Sequence, residues 1–222
     1  MTTTNKSDWL LPAALVALSL VPAVAGSARL AQLAGGEGIT PENARFLAQP
    51  LPVAIHIPAA ILYSILGAFQ FSAGLRRRWP RWHRAAGAVL IPCAALVALS
   101  GLWMTVSYPW PQGDGELVYL ERLLFGSAML LSVLLGVGAL HRRSFVSHGE
   151  WMTRAYALGL GAGTQALTHL PWFVLVDAKP GELARGVMMG AGWVINIAVA
   201  EWIIRSRSAP SRSFTEVSLS HA

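Results

Sequence analysis

The chain has 222 residues, of which 54% are hydrophobic and only 13% are charged, and its mean hydropathy is +0.49. This composition excludes an ordinary soluble globular protein and indicates a single polytopic membrane unit. The formal net charge is +6. Because the basic residues flank apolar segments, we expect them to meet anionic lipid headgroups at the cytoplasmic face, and we expect no nucleic-acid partner.

Six apolar segments of the chain are long enough to cross a membrane, since about 20 helical residues span roughly 30 Å of hydrocarbon. We therefore predict an all-α fold, a polytopic transmembrane helical bundle over residues 1–205 with about six spans. The Ser-rich segment 206–222 has no apolar period and is predicted to be disordered. The predicted helices lie near residues 9–30, 52–75, 84–106, 119–140, 155–176 and 186–204.

The first apolar segment permits two interpretations. Ala23-Val24-Ala25 before Gly26 has the small-x-small spacing of a signal-peptidase site, and Lys6 provides a weak positive region before the apolar run. The length of that run favours a retained helix. Cleavage of residues 1–25 therefore stays open at the level of sequence.

A short basic loop at residues 76–84 carries five arginines and separates the second and third predicted helices. The positive-inside rule assigns such a loop to the cytoplasm. Both termini then lie inside, together with 12 of the 17 Lys and Arg residues. A second basic loop, predicted from His141 to Arg154, returns to the same side. We therefore expect a multi-pass protein of the bacterial inner membrane.

Polar residues within the predicted spans follow helical spacing. His56, Tyr63 and Gln70 are seven residues apart, which places them on one stripe of a helix. Gln165 and His169 lie on a stripe of the fifth helix, and the sixth helix adds Asn196. Polar side chains at membrane depth face protein and not lipid, so we expect all six to line the interior of the bundle.

Four of the histidines form two pairs by depth. His56 and His169 belong to the outer leaflet, and His83 and His148 lie beside the basic loops. Two facing imidazoles can ligate a haem iron, so the depths raise the hypothesis of haem b, with His56 and His169 as the metal ligands of the outer site. The alternative is that these histidines are hydrogen-bonded core residues or headgroup contacts, and the cofactor stays unknown.

Arg84 and Arg154 stand beside His83 and His148, at the starts of the third and fifth predicted helices. Guanidinium groups there could bind a lipid phosphate or a haem propionate. Alternatively, these arginines only reach to the headgroups and set the topology.

Two motifs carry a resemblance to a known family. They are His83-Arg84-x-x-Gly87 and His148-x-x-Trp151-Met152-x-Arg154. With the flanking apolar segments, from about residue 50 to 175, they resemble a large family of predicted bacterial multi-pass membrane proteins catalogued as a domain of unknown function. The resemblance implies a membrane bundle and no particular activity. It draws attention to His83, Arg84, His148, Trp151 and Arg154.

The sequence contains no phosphate-binding Gly-rich loop, no zinc-protease motif and no nucleophile elbow, so it does not support hydrolytic or nucleotide-driven chemistry. Whether the protein is an enzyme stays open. One hypothesis is a b-type haem or quinone-linked electron carrier with a redox partner. The alternative is a non-enzymatic transporter, assembly factor or lipid-binding scaffold. A standard secondary transporter is disfavoured because no internal repeat is visible.

Overall fold

The computed structural model describes residues 7–36, 38–176 and 178–208. This part of the chain is almost wholly helical and contains no strand, which confirms the predicted all-α polytopic bundle. In chain order, the described residues form helices α1 to α9 and one 3₁₀ turn: α1 Ser7–Gly35, α2 Ala44–Ala48, α3 Pro50–Ala68, the 3₁₀ turn Phe69–Phe71, α4 Ala73–Arg78, α5 Pro80–Ser107, α6 Glu116–His141, α7 Phe145–Gly159, α8 Gly161–Leu175 and α9 Glu182–Ser208.

Five of these helices are long and apolar enough to cross a membrane, namely α1, α3 with its 3₁₀ turn, α5, α6 and α9. The fifth predicted span is instead divided into α7 and α8, each of 15 residues. At 1.5 Å per residue each is about 22 Å long, so neither crosses the hydrocarbon alone. Their combined length is sufficient for the fifth predicted span, which would then be discontinuous.

The helix bounds differ most from the predicted ones in two regions. Residues 145–154, predicted as part of a basic loop, form the first turns of α7, which starts after a turn in which Arg143 has a φ of 58°. The second predicted helix ends earlier, at Ala68, and Ser72 then caps α4 by accepting a hydrogen bond from the Leu75 N–H. Of the predicted tail, residues 206–208 end α9, and the remainder lies outside the described residues.

The break at Leu160 changes the partners of the discontinuous span. Helix α7 packs against α3, α5, α6 and α9, whereas α8 packs against α1 and α9. A continuous helix would pair the Ala157 carbonyl with the Gly161 N–H. Here the Asn196 amide donates to that carbonyl at 3.0 Å, and the Thr164 hydroxyl donates to Asn196 Oδ1 at 2.7 Å. Asn196 thus satisfies backbone that could find no water in a bilayer.

Two tyrosines form the centre of the core. The Tyr156 hydroxyl donates to the Ser64 carbonyl at 2.6 Å, and the Tyr156 ring meets the ring of Tyr63 at a centroid distance of 5.6 Å. Gly67 permits this packing, because a Cβ there would lie 2.6 Å from the Tyr156 ring. Tyr63 therefore faces protein, as expected for its polar stripe, and it is buried.

The bundle has two distinct ends. The Asp114 end contains α2, the turn that precedes α6, and the connection between α8 and α9. The basic end contains the arginines of residues 76–84 together with Arg142 and Arg143. The expected topology places the Asp114 end outside the cell and the basic end in the cytoplasm.

We predict that Gly67→Ala lowers the thermal midpoint of the detergent-purified protein. The hydrogen bond and ring contacts of Tyr156 prevent its ring from moving aside, and overpacking of this kind costs about 1–3 kcal/mol. Gly87→Ala is the matched control, since a Cβ at Gly87 meets no atom within 4 Å. Equal midpoints for the two variants, measured by tryptophan fluorescence, would contradict this account of the core.

Candidate functional site

A cavity of about 340 Å³ lies at the Asp114 end, bordered by α3, α5, α6, α8 and α9. It lies between α8, which packs mainly on α1 and α9, and helices α5 and α6. Its charged lining residues are Arg45, Arg122 and Asp114, so the lining carries a net positive charge. Most of the wall is apolar or aromatic, with the rings of Phe46, Tyr108, Trp110, Tyr119, Phe125 and Trp193.

Helix α2 covers the mouth of this cavity. The Tyr108 hydroxyl, at the end of α5, donates to the Gln49 carbonyl at 2.7 Å. The Tyr108 ring meets Phe46 edge-on at 5.5 Å, and the guanidinium groups of Arg29 and Arg45 both lie 4.6 Å from the centre of the Phe46 ring. The roof of the cavity is therefore held by one hydrogen bond and a cluster of aromatic and cationic contacts.

Asp114 organises the charges at the mouth. Its side chain is only 2% exposed, Arg122 Nη1 lies 2.6 Å from Oδ2, and Arg185 Nε donates to Oδ1 at 2.5 Å. The carboxylate thereby joins the turn before α6 to α6 and α9. One carboxylate compensates two arginines. Oδ1 accepts a hydrogen bond from Arg185, whereas Oδ2 has the charge contact with Arg122 but no hydrogen-bond donor within the described residues.

Arg45 forms no ion pair with the described residues. Its Nε–H is buried and, among those residues, donates no hydrogen bond, although the side chain lines the cavity. Burial, and after it the nearby charge of Arg122, lowers the pKa of the Arg45 guanidinium below its usual value. An arginine nonetheless remains protonated at physiological pH. Arg45 is thus a charged donor whose bonding capacity is not filled by the described protein atoms.

The floor of the cavity offers hydrogen-bond acceptors. His56 Nδ1 lies 3.0 Å from the Ser100 hydroxyl, which donates its single proton to the Leu96 carbonyl. In the neutral imidazole one ring nitrogen donates and the other accepts, so His56 adds one donor and one acceptor to this region. Gln165 donates to the Met189 carbonyl at 3.2 Å, which leaves its side-chain oxygen free to accept.

His169 is buried elsewhere. Its Nδ1 donates to the Gln165 carbonyl at 2.7 Å, and its ring stacks on Phe173. His169 is absent from the lining of the cavity, and within the described residues no hydrogen bond or ring contact joins it to His56. The predicted outer pair thus faces two different environments, although both histidines point into protein.

The two inner histidines, His83 and His148, lie within electrostatic range of one another. His148 Nδ1 donates to the Gly136 carbonyl at 2.9 Å, whereas the buried Nδ1 of His83 has no hydrogen-bond partner in the described part of the chain. The buried Gln70 amide nitrogen is unpartnered in the same sense.

The two predicted anion-binding arginines of the basic end differ. Arg154 forms a two-pronged ion pair with Glu201 at 2.5 and 3.1 Å and lies 4.5 Å from the centre of the Trp151 ring. Its guanidinium is therefore largely engaged within the protein. Arg84 is exposed, in the position expected for a headgroup contact. Among the described residues, no group of three or more His, Cys, Asp or Glu side chains is arranged to hold a metal ion.

Sequence reasoning did not select Asp114, Arg45 or Arg122. The sequence nevertheless contained an indication of them. In the predicted topology five basic residues lie on the outer side, against the positive-inside rule, namely Arg29, Arg45, Arg122, Lys179 and Arg185. Four of these five meet around the mouth of the cavity. The basic residues that the predicted topology leaves outside therefore indicated the position of this cavity.

The family profile described as "Predicted membrane protein (DUF2306)" matches residues 53–204. The chain belongs to this family. The predicted resemblance to a membrane protein family of unknown function is thus confirmed. The region that matches DUF2306 contains His56, Asp114, Arg122 and both inner histidines, whereas Arg45 precedes it. No curated protein matches the chain, and no solved structure matches it either.

We predict that Asp114→Asn destabilises this DUF2306 protein by about 1–3 kcal/mol, because two partly buried arginines lose their shared counter-charge. This loss of stability is smaller than the loss expected on breaking a fully buried ion pair, since the side chains of Arg122 and Arg185 are 29% and 28% exposed. The measurement is the thermal midpoint in detergent. Glu116→Gln, in the exposed first turn of α6, is the control and should leave the midpoint unchanged; a similar loss there would contradict the assignment.

Proposed function

We propose that this membrane protein binds a small anionic amphiphile in the cavity at the Asp114 end. The observation that carries the proposal is Arg45, a half-buried arginine that lines the cavity and whose buried Nε–H has no acceptor among the described residues. An anionic group of the ligand would supply both the counter-charge and the missing acceptor.

The head group of such a ligand has a defined chemistry. Arg45 and Arg122 present planar guanidinium groups, which match the oxygen pairs of a phosphate or carboxylate. Asp114 already neutralises much of the charge of Arg122, so Arg45 is the principal contact. A ligand with a dianionic head group would therefore bind to Arg45 more tightly than a ligand with a neutral polar head group.

The body of the ligand is apolar or aromatic. The cavity volume of about 340 Å³ is within the range of small-molecule sites, and such sites combine apolar walls with a few placed polar groups. The acceptors on His56 and Gln165 would receive a hydroxyl or amide proton from the ligand. This function corresponds to a lipid-binding scaffold or carrier and needs no covalent chemistry.

The test uses 1-naphthyl phosphate as the probe, with the protein in nanodiscs of uncharged phosphatidylcholine. We expect Arg45→Gln to weaken binding by roughly tenfold, because a hydrogen bond to a charged group contributes about 1.5–3 kcal/mol. Arg77→Gln removes the same charge from an exposed position at the basic end and should leave the affinity unchanged. Equal affinities for the two variants in equilibrium dialysis would contradict the proposal.

A second candidate function is b-type haem binding with transmembrane electron transfer, and one observation favours it at the basic end. The Nδ1–H of His148 is held by a backbone carbonyl, which leaves Nε2 available as a ligand, and His83 lies nearby. Metal-ligating histidines commonly have this second hydrogen bond. The cavity at the Asp114 end would then be the place for a quinone.

For this second candidate, the wild-type protein purified after haem supplementation should show a Soret band. His148→Ala should abolish the band, because it removes an axial ligand. His141→Ala, which changes an exposed histidine at the end of α6, should retain it. Absence of a Soret band in the wild type would remove the haem hypothesis.

A further inference from the structure

A second cavity, of about 230 Å³, lies beneath α1 in the interior of the bundle. Its walls come from α1, α3, α5 and the break between α7 and α8. Apart from His56 and two serines, the lining is apolar or glycine. The residues of α1 and α3 that line this cavity and not the first are Ser19, Pro22, Ala23, Gly26, Ile57, Ala60, Ile61 and Ser64.

The two cavities meet at a shared partition. His56, Val97, Gly159 and Ala162 line both of them. Gly159 and Ala162 flank the break at Leu160, so the helix break also brings the cavities together. The partition contains one polar side chain, His56, and otherwise only small or apolar groups.

Helix α1 is a weakly held wall of the second cavity. Among its residues whose side chains are described, only Pro12 and Ser19 are buried, and it packs mainly on α3 and α8. Pro22 has no N–H, so the Leu18 carbonyl lacks its donor within the helix. That carbonyl is directed at Gly163, where any side chain would collide with it. The contact between α1 and α8 thus rests on a kinked turn and a glycine.

We infer that the second cavity holds the apolar chain of the same ligand whose anionic head contacts Arg45. This inference rests on the proposed function and narrows its ligand to a single-chain anionic amphiphile, with a phosphate or carboxylate head. A volume of about 230 Å³ is below that of a site for a complete ligand, which indicates a site for part of one.

The geometry sets the chain length that is needed. His56 is six residues after Pro50 in α3, so the partition lies about 9 Å below the end of the helix that α2 adjoins. A short chain ends within the first cavity. Ser64 is eight residues further along α3, about 12 Å beyond the partition, so an extended chain of about sixteen carbons is needed to pass His56 and reach the space between Ser19 and Ser64.

The test uses two alkyl phosphates with a terminal diazirine, one with four carbons and one with sixteen, on the full chain in phosphatidylcholine nanodiscs. After photolysis, mass spectrometry should find Ser19 and Ser64 labelled by the long probe roughly tenfold more than by the short one, because only the long chain gains apolar contact there. Excess 1-naphthyl phosphate should remove this labelling by occupying the head-group site.

Two matched variants of α1 separate the cavity from the surrounding lipid. Ala23→Phe fills the second cavity and should suppress labelling of Ser64 by the long probe while 1-naphthyl phosphate binding is retained. Ala25→Phe makes the same change at an exposed position of α1 and should alter neither result.

The outcomes distinguish the two proposals. If 1-naphthyl phosphate binds through Arg45 but Ser19 and Ser64 remain unlabelled, or if Ala23→Phe and Ala25→Phe label alike, the assignment of the chain is overturned and the head-group site stands. If 1-naphthyl phosphate fails to bind the wild-type protein, the proposed function itself is overturned.

Discussion

A carbonyl that has lost its helical partner at membrane depth is the constraint on which this structure depends. The chain cannot leave the Ala157 carbonyl unsatisfied in hydrocarbon, and the Asn196 amide supplies the missing donor. With that bond in place, the span can stop at Leu160 and resume as α8 with different neighbours. Helix α8 packs mainly on α1 and α9, and both cavities lie beside the gap at this break.

The electrostatics of the Asp114 end follow from the same gap. Arg122 and Arg185 can approach one carboxylate because α6 and α9 converge there, and Asp114 is buried between them. Arg45 approaches from α2 but forms no ion pair with Asp114, the acidic side chain among the described groups that line the cavity. The positive charge that Asp114 does not compensate lies next to an apolar cavity, and an anionic amphiphile would neutralise it.

The basic end is arranged differently. There Arg154 is matched by Glu201 and covered by Trp151, so its charge serves to join α7 to α9. His83 and His148 lie close together but line neither of the two cavities. The proposed head-group site and the proposed haem ligands His83 and His148 therefore lie at opposite ends of the bundle, and each can be tested without the other.

The sequence by itself determined the class of fold and the polar interior. Apolar length predicts the spans, because a helix must cover the hydrocarbon, and period alone places Tyr63, Gln165 and Asn196 towards protein. It could not give the break at Leu160, since no proline stands there and the donor for Ala157 comes from a helix 39 residues later. Nor could it show that Arg45, Arg122 and Asp114 share one cavity mouth. Such meetings are decided by how α2, α6 and α9 converge in three dimensions, which local spacing does not encode.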